Sequence, residues 1–378
     1  MIKTNWTSSR SLVPKLKDLA TALSTWNRDI FGNLFQRKRK LWARIEGIQR
    51  RLATGAPRYL LKLERKLRQE LDHTLDQIAM LWIQKAMTDQ IRDGDRNTKY
   101  YHMATVTRRR FNRVNALKDA DNRWCTSASR IQQMIVEHFR ALFSEENKAI
   151  SPSEMEETTF PPLSQHHIQM LEEPFTRQDI LYALKGMQPL KAPGPDGFHT
   201  FFFKRYWHIN EEDVCNVVLQ ILRSQPMPSG INDTFITLIP KVPNPEKVTQ
   251  FRPIGLCNVT YKLVMKCIVN MLHHILPHLI SPTQSSFVPG RQITDNIILM
   301  QESLHSMRHK TGKMRWMAIK LDLEKAYDRL RWGFIHDTLI RMHLPSTLVR
   351  VIMTCISSSV LKFCGMESHQ SHFNQLGG

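Results

Sequence analysis

Apolar residues recur at three- and four-residue steps through the first quarter of the chain, with charged residues between them. A single stripe of this kind is typical of a helix that buries one face, and it predicts a helix reaching about Ile91. Residues 1–53 are also helical in pattern, and T-G-A-P at residues 54–57 interrupts it. Two long helices joined by a short turn predict an antiparallel hairpin. The second stripe consists of Leu60, Leu63, Leu67, Leu71, Leu75, Ile78 and Trp82.

Shorter elements are predicted further along the chain. Residues 122–143 favour a short strand and a helix, and T-R-Q-D at residues 176–179 is a capping-type signature that opens another helix. F-I-T-L-I-P-K at residues 235–241 favours a strand that ends at a lysine. Amphipathic helices are predicted over residues 261–280 and 293–307.

A tight loop is predicted at residues 193–197, because P-G-P-D-G leaves the backbone few other conformations. Asp196 has two interpretations there. Its carboxylate accepts backbone N–H groups within the turn, or it contacts a substrate. The sequence favours neither one.

An apolar run rich in β-formers, M-A-I-K-L-D, occupies residues 317–322 and ends in a carboxylate. It predicts a buried strand that delivers Asp322 to its C-terminal end, with a helix-compatible segment after it. A carboxylate in that place can hold Mg²⁺, which prefers oxygen ligands. Tyr327 is expected where the chain turns back over the same pocket. A structural role for Asp322 is the alternative.

The chain of 378 residues has a formal net charge of +19, distributed unevenly. Residues 1–120 contain 26 Lys/Arg against 11 Asp/Glu, and residues 121–378 contain 27 against 23. Positive charge concentrated in one third of a chain points to a polyanionic partner, usually nucleic acid. The basic hairpin predicted above either packs on itself or a protein partner, or also lays its basic face on RNA.

Aromatic and basic residues are interleaved after residue 99. Tyrosine rings can stack on bases while guanidinium groups neutralise phosphates, which predicts a nucleic-acid contact. A solvated basic helix with two core tyrosines is the alternative. The residues concerned are Tyr100, Tyr101, Arg108, Arg109, Arg110 and Arg113.

Several classes of protein are disfavoured by composition. The six cysteines show no Cys-x-x-Cys pair and no zinc-ligand spacing with histidine, so buried free thiols in a reducing compartment are expected. The N-terminus has no secretory signal pattern, and no apolar run is long enough to span a membrane. These features predict a nuclear or cytoplasmic protein that is neither secreted nor membrane-bound.

Four stretches together resemble the reverse transcriptases of plant non-LTR (LINE-type) retrotransposons, and they fall in the family's order. The D-L-E-K-A-Y-D run at residues 322–328 is similar to the family's first catalytic motif. The segment G-D-R-N-T-K-Y-Y-H at residues 94–102 resembles the region that precedes the polymerase in those elements. Besides the D-L-E-K-A-Y-D run, the four stretches comprise K-A-P-G-P-D-G at residues 191–197, F-R-P-I-G-L at 251–256 and F-V-P-G-R at 287–291.

The resemblance implies an α+β, helix-dominant fold. In this fold a basic N-terminal helical arm (residues 1–150) precedes reverse-transcriptase-like fingers and a partial palm (151–378). The acidic, Ser/Pro-rich residues 144–162 are the expected linker. The implied partners are an RNA template and a DNA primer, and the implied cofactor is Mg²⁺. The matching positions are Asp322 (catalytic and metal-binding), Leu323 (metal-binding through its backbone), Lys241, Arg252 and Tyr327 (nucleotide-binding), and Arg291 (in the loop that approaches the template).

The family's later aromatic-X-Asp-Asp motif has no match, since no Asp-Asp pair occurs in the sequence. Two metal ions about 3.5–4 Å apart need more than one carboxylate. We therefore expect a reverse transcriptase domain truncated after the first catalytic motif and lacking two of the three catalytic carboxylates, and so inactive. The alternative is a non-catalytic RNA-binding remnant of such an element. Whether the chain is an enzyme stays open.

Overall fold

The computed structural model describes residues 2–6, 10–55, 57, 59–86, 98–144, 159–311, 316–323, 326–363 and 373–374. Over these residues the protein is α+β with helices dominant, as predicted. No helix in this part of the chain is long and apolar enough to cross a membrane.

The basic arm is a helical hairpin, and this prediction is confirmed. Helix α3 (Leu34–Ala53) and helix α4 (Tyr59–Ala86) contact each other along their lengths, and Gln49 donates a hydrogen bond to Glu64 across them. The Asn33 side chain caps α3 by accepting from two backbone N–H groups. The predicted extension of α4 to Ile91 falls outside the described residues. The buried residues between the two helices are Leu41, Ile45, Ile48, Leu60, Leu67 and Leu71.

The first two helices, α1 (Ile2–Asn5) and α2 (Leu12–Trp26), do not belong to the core of this arm. Trp6, Leu16 and Leu19 are buried in the same core as the helices after residue 160. A boundary at residue 150 stays a prediction, but packing does not follow it, because the start of the chain completes the downstream core.

The core after residue 160 is formed by helices that come before and after the strands of the main sheet along the chain. Thr176 and Asp179 form the predicted capping box at the start of helix α8 (Arg177–Gly186). The predicted helix over residues 261–280 is divided into two, because α11 (Val259–Leu272) ends at Leu272 and α12 (Leu276–Leu279) begins with Pro277 in its first residues. Its helices are α7 (Gln165–Glu172), α8 (Arg177–Gly186), α9 (Thr200–Arg205), α10 (Trp207–Leu222), α11 (Val259–Leu272), α12 (Leu276–Leu279), α14 (Trp332–Arg341) and α15 (Ser346–Ser357). Helix α13 (Ile293–His309) has no buried residue and contributes nothing to this core.

The main sheet has four strands, and β3 (Asp233–Pro240) lies between β4 (Phe251–Cys257) and β5 (Val360–Phe363). β3 and β4 form an antiparallel hairpin in which Ile239 lies opposite Arg252. β5 runs parallel to β3 and pairs on its far side with the two-residue strand β6 (Phe373–Asn374). The predicted strand over residues 235–241 is thus confirmed.

Residues 98–144, which follow the helical hairpin of α3 and α4, pack against the β3–β4 hairpin. Helix α5 (Thr98–Asn112) leads into a two-stranded ribbon, β1 (Leu117–Lys118) and β2 (Trp124–Cys125), which is followed by helix α6 (Ala128–Phe143). The strand and helix predicted over residues 122–143 are confirmed. The core they share with the hairpin contains Leu117, Ile131, Ile135, Phe139, Val248 and Phe251.

The predicted buried strand at residues 317–322 is wrong for this structure. Residues 316–323 have no regular structure, and Met317, Ile319 and Leu321 are 81%, 70% and 86% exposed. A strand exists only when its N–H and C=O groups pair with a neighbour. The described strands β3, β4, β5 and β6 pair with one another, and none of them pairs with this segment. The segment is apolar as a buried strand would be, but it has no pairing partner among the described strands.

Candidate nucleotide and nucleic-acid site

The turn end of the β3–β4 hairpin carries the two predicted phosphate-binding cations, Lys241 just after β3 and Arg252 near the start of β4. Cross-strand partners share one face of a sheet, so Arg252 lies on the face of Ile239. Side chains two residues apart also share a face, and Lys241 therefore belongs to this same face. The Lys241 amide donates to the Gln250 carbonyl at 2.8 Å, which extends the pairing beyond the strand ends.

The two cationic side chains differ in the hydrogen bonds that they already make within the protein. The Lys241 ammonium donates one hydrogen bond, to the Thr249 carbonyl at 3.3 Å. The Arg252 side chain is exposed, and its guanidinium forms no hydrogen bond or ion pair with the described residues. A guanidinium can bind a phosphate with two parallel hydrogen bonds, and an ammonium adds a point charge. The hairpin end can therefore hold a polyphosphate.

Asp196 takes part in the turn that the sequence predicted. Its carboxylate accepts the Phe198 N–H at 3.0 Å, and its own N–H donates to the Asn258 side-chain oxygen at 3.1 Å. Asn258 donates in turn to the Gly230 carbonyl at 2.8 Å. These contacts fit the structural interpretation of Asp196, which ties the P-G-P-D-G loop to the start of α11.

The environment of Asp196 also changes its acidity. Burial raises the pKa of its carboxyl to about 6, although the Phe198 N–H and the nearby Lys262 ammonium oppose this rise. A carboxyl with such a pKa is still mainly ionised at pH 7. The charge is therefore kept in a partly buried place where its desolvation costs stability.

Replacing Asp196 by asparagine should remove a pH dependence of stability. Between about pH 4 and pH 6 the folded wild type holds a proton that the unfolded chain, with its ordinary carboxyl pKa, has lost. The free energy of unfolding of wild type therefore falls as pH rises through this window and is flat above it. Relative to wild type, Asp196→Asn should gain about 1–2 kcal/mol from pH 4 to pH 6. Urea titrations at four pH values measure this difference, and two parallel stability curves would contradict it.

The predicted metal ligands do not form a metal site in the described residues. Asp322 and Leu323 lie in the exposed irregular segment, and no group of three or more His, Cys, Asp or Glu side chains is close enough in this part of the chain to hold an ion. One exposed carboxylate and one carbonyl do not suffice for the two-ion arrangement. The donor set present does not fit the expected Mg²⁺ pair.

Tyr327, predicted to contact the nucleotide, lies in a short 3₁₀ turn, Ala326–Arg329. Its ring is 76% exposed and meets the Phe287 ring edge-to-face, with 6.3 Å between centroids. The structure thus brings Phe287, in the loop at residues 287–291, next to the Ala326–Arg329 turn. No hydrogen bond or ion pair joins Asp322 or Tyr327 to Lys241 or Arg252 within the described residues.

Arg291, expected to approach the template, is used to shape its own loop. One terminal nitrogen donates to the carbonyls of Ser281 and Gln284 at 2.5 and 2.7 Å. The other donates to the carbonyls of Pro277 and Ile280 at 3.2 and 2.9 Å. Both terminal nitrogens are therefore committed, and in this arrangement Arg291 stabilises the loop rather than offering free donors to a phosphate.

The aromatic and basic set on α5 is divided by burial. Tyr101 is 1% exposed, so its ring has no free face for a base, whereas Tyr100 is 41% exposed. The structure contradicts base stacking for Tyr101 and places it in the core. The four arginines Arg108, Arg109, Arg110 and Arg113 are all exposed.

Two contributors to this region were missed from the sequence. Asn258 holds the P-G-P-D-G loop and directly precedes α11, three residues before the predicted start of that helix. An Asn near a helix start is a recognisable signal of a helix cap, but not of a contact with another loop. Lys118 pairs with Glu246 in the turn of the hairpin, 128 residues away in sequence. Nothing in the local pattern around Lys118 marks it.

Comparison with known proteins agrees with the motif resemblance. Residues 239–377 match the family model described as "Reverse transcriptase (RNA-dependent DNA polymerase)". The chain is 28% identical over 269 residues to the "Transposon TX1 uncharacterized 149 kDa protein" of Xenopus laevis, which is 71% of this chain and 20% of that protein. The chain carries a LINE-type reverse transcriptase domain.

Two further relatives are polyproteins of R2 retrotransposable elements. The "Retrovirus-related Pol polyprotein from type-1 retrotransposable element R2" of Nasonia vitripennis is 27% identical over 162 residues, 43% of this chain and 15% of that protein. The type-2 element R2DM polyprotein of Drosophila melanogaster is 25% identical over 185 residues, 49% of this chain and 17% of that protein. The chain thus spans a fifth or less of the length of these relatives.

The reverse transcriptase match begins at Ile239, two residues before Lys241, and includes Arg252, Asp322 and Tyr327. Helices α8 and α10 precede it, yet they pack in the same core as the matched helix α11. The similarity to the Xenopus protein is longer than the match and therefore includes upstream residues. The core that contains the matched helix α11 is thus built partly from residues that precede the family match.

Proposed function

We propose that this chain is a reverse transcriptase domain in which Lys241 and Arg252 bind the phosphates of the incoming deoxynucleoside triphosphate, and which is inactive in DNA synthesis because the Asp-Asp motif has no match in its sequence. The observation that carries the proposal is the shared face of the two cations at the turn end of the hairpin, where the Arg252 guanidinium has no hydrogen-bond or ion-pair partner among the described residues. RNA template and DNA primer are the proposed partners. The assignment to the plant form of these elements rests on the motif sequences alone.

The other predicted residues have roles within this proposal. The family generally uses divalent metal ions. Asp322 and the Leu323 carbonyl offer oxygen ligands, which favour Mg²⁺. Because one carboxylate cannot clamp two ions, catalysis needs acidic groups beyond those that the structure describes. Tyr327 would exclude a ribose 2′-hydroxyl, because its ring leaves no room for the additional oxygen.

Removing the Arg252 guanidinium should weaken triphosphate binding. Hydrogen bonds to charged groups contribute about 1.5–3 kcal/mol, so Arg252→Ala should raise the dissociation constant of dTTP with Mg²⁺ by about 10- to 100-fold. Isothermal titration calorimetry on the full chain measures this. Arg308→Ala removes an exposed arginine from α13 and should leave the affinity unchanged. Equal losses in both variants would contradict the proposed site.

RNA binding without catalysis is a second candidate function. It rests on the exposed arginines at the end of α5, where Arg109 and Arg110 lie in the last turn, Arg108 just before it and Arg113 just beyond the helix. A row of exposed guanidinium groups can follow a phosphate backbone, and the half-exposed ring of Tyr100 can stack on a base.

Binding of single-stranded RNA should weaken steeply with salt, because neutralised phosphates release counterions. Each lost phosphate contact lowers the slope of log K against log salt by about 0.7, so replacing Arg109 and Arg110 by alanine should reduce it by about 1.4. Filter binding of an oligouridylate at several salt concentrations measures the slope. The pair Arg223→Ala and Arg308→Ala removes equal charge from α10's end and from α13, and it should leave the slope unchanged. An unchanged slope in the α5 variant would exclude this face.

A further inference from the structure

The turn of the β3–β4 hairpin is held from outside by the upstream ribbon. The Lys118 N–H donates to the Glu246 carbonyl at 2.7 Å, and the Lys118 ammonium donates to the Glu246 carboxylate at 2.5 Å. Lys118 of β1 therefore binds Glu246 of the turn through both its backbone and its side chain.

The Lys118 side chain is itself fixed in place. It is 20% exposed, and its ammonium lies 4.9 Å from the centre of the Trp124 ring on the paired strand β2. Leu117, next to it, is fully buried against a core that includes Val248 and Phe251. A lysine whose ammonium lies against an aromatic ring, and whose neighbour in sequence is buried, is held in place. It can therefore fix the position of the residue that it contacts, unlike a mobile surface lysine.

Gln250 connects the turn to the proposed phosphate-binding residues. The Gln250 side-chain oxygen accepts the N–H groups of Glu246 and Lys247 at 2.6 and 3.0 Å. The Gln250 carbonyl accepts the Lys241 N–H, and Gln250 directly precedes Phe251 and Arg252. Glu246 is thus linked to Lys241 by two consecutive hydrogen bonds through Gln250.

We propose that Lys118 is a positioning residue, which fixes the hairpin turn through Glu246 so that Lys241 and Arg252 meet the same triphosphate. This inference rests on the proposed function of the hairpin. It assigns to the segment upstream of the family match a role in nucleotide binding, in addition to any contact with RNA. Lys118 itself does not touch the nucleotide.

The test combines charge reversal with rescue. In Lys118→Glu the two carboxylates repel, and the dissociation constant of dTTP with Mg²⁺ should rise about five-fold, as expected for losing one partly exposed pair. Adding Glu246→Lys restores the pair in reverse and should return the affinity to within two-fold of wild type. Lys62→Glu, on the arm, makes the same charge change and should leave the affinity unchanged, which excludes a general charge effect.

Hydrogen exchange on the free protein tests the physical link independently of nucleotide. In Lys118→Glu the amides of Lys241, Glu246 and Lys247 should exchange about five-fold faster, and those of α10 should not change. Unchanged exchange of these three amides would overturn the inference. So would a dTTP affinity that Lys118→Glu leaves intact, or one that the double reversal fails to restore. If wild type does not bind dTTP while exchange responds as expected, the proposed function of the hairpin fails, and the nucleotide-binding role of Lys118 fails with it.

Discussion

Asp213→Ala is expected to lower the free energy of unfolding by about 3–5 kcal/mol, because it breaks a largely buried ion pair and leaves one charge unpaired. Lys15 is 8% exposed, and its ammonium donates to both Asp213 oxygens at 2.9 and 2.8 Å. The Trp6 indole N–H donates to the same carboxylate at 2.7 Å. This cluster joins the first two helices of the chain to α10, so its loss should loosen the downstream core.

Guanidinium titration followed by circular dichroism measures this effect. Asp18→Ala is the matched control, since Asp18 pairs with Arg10 where both side chains are more than half exposed. Exposed pairs contribute little, and this control should cost under about 1 kcal/mol. Lys15→Met removes the buried charge with its desolvation cost and should destabilise less than Asp213→Ala. If Asp213→Ala costs no more than Asp18→Ala, the cluster does not hold the N-terminal helices.

Local patterns predicted the helices and the hairpin well. The apolar stripe beginning at Leu60, the capping signature at Thr176 and the strand ending at Lys241 each encode their structure within a few neighbouring residues. The burial of Trp6 and Leu16 in the downstream core depends on residues about 200 positions away, and no periodicity reveals such a partner.

The site residues show the same limit. The face shared by Lys241 and Arg252 follows from strand register, which a predicted hairpin already implies. The exposed, irregular conformation around Asp322 does not follow from the local sequence. A buried strand requires a pairing partner, and an apolar run does not show whether one exists. Arg291 and Tyr101 were chosen for their chemistry, whereas their availability is decided by the carbonyls and the core around them.

Gly194→Ala should destabilise the protein by about 3 kcal/mol, since no space exists for a side chain where the P-G-P-D-G loop crosses the start of α11. A Cβ there would overlap the amide nitrogen and the side-chain oxygen of Asn258, and it would lie 2.5 Å from the carbonyl carbon of Cys257. Two of these atoms are backbone, so they cannot move aside by changing a rotamer. The loop must therefore lift away, which breaks the hydrogen bond from Asp196 to Asn258.

Gly47→Ala is the matched control for this substitution. Gly47 lies within α3 and has nothing within 4 Å of an added Cβ, so alanine should stabilise the helix by about 0.5–1 kcal/mol. Urea titration of both variants gives two changes of opposite sign. A neutral Gly194→Ala would mean that the loop does not lie against Asn258, and Asp196 would then not tie the loop to α11. The expected loss would instead show that the close approach of two backbones requires glycine at this position, before any demand of substrate binding.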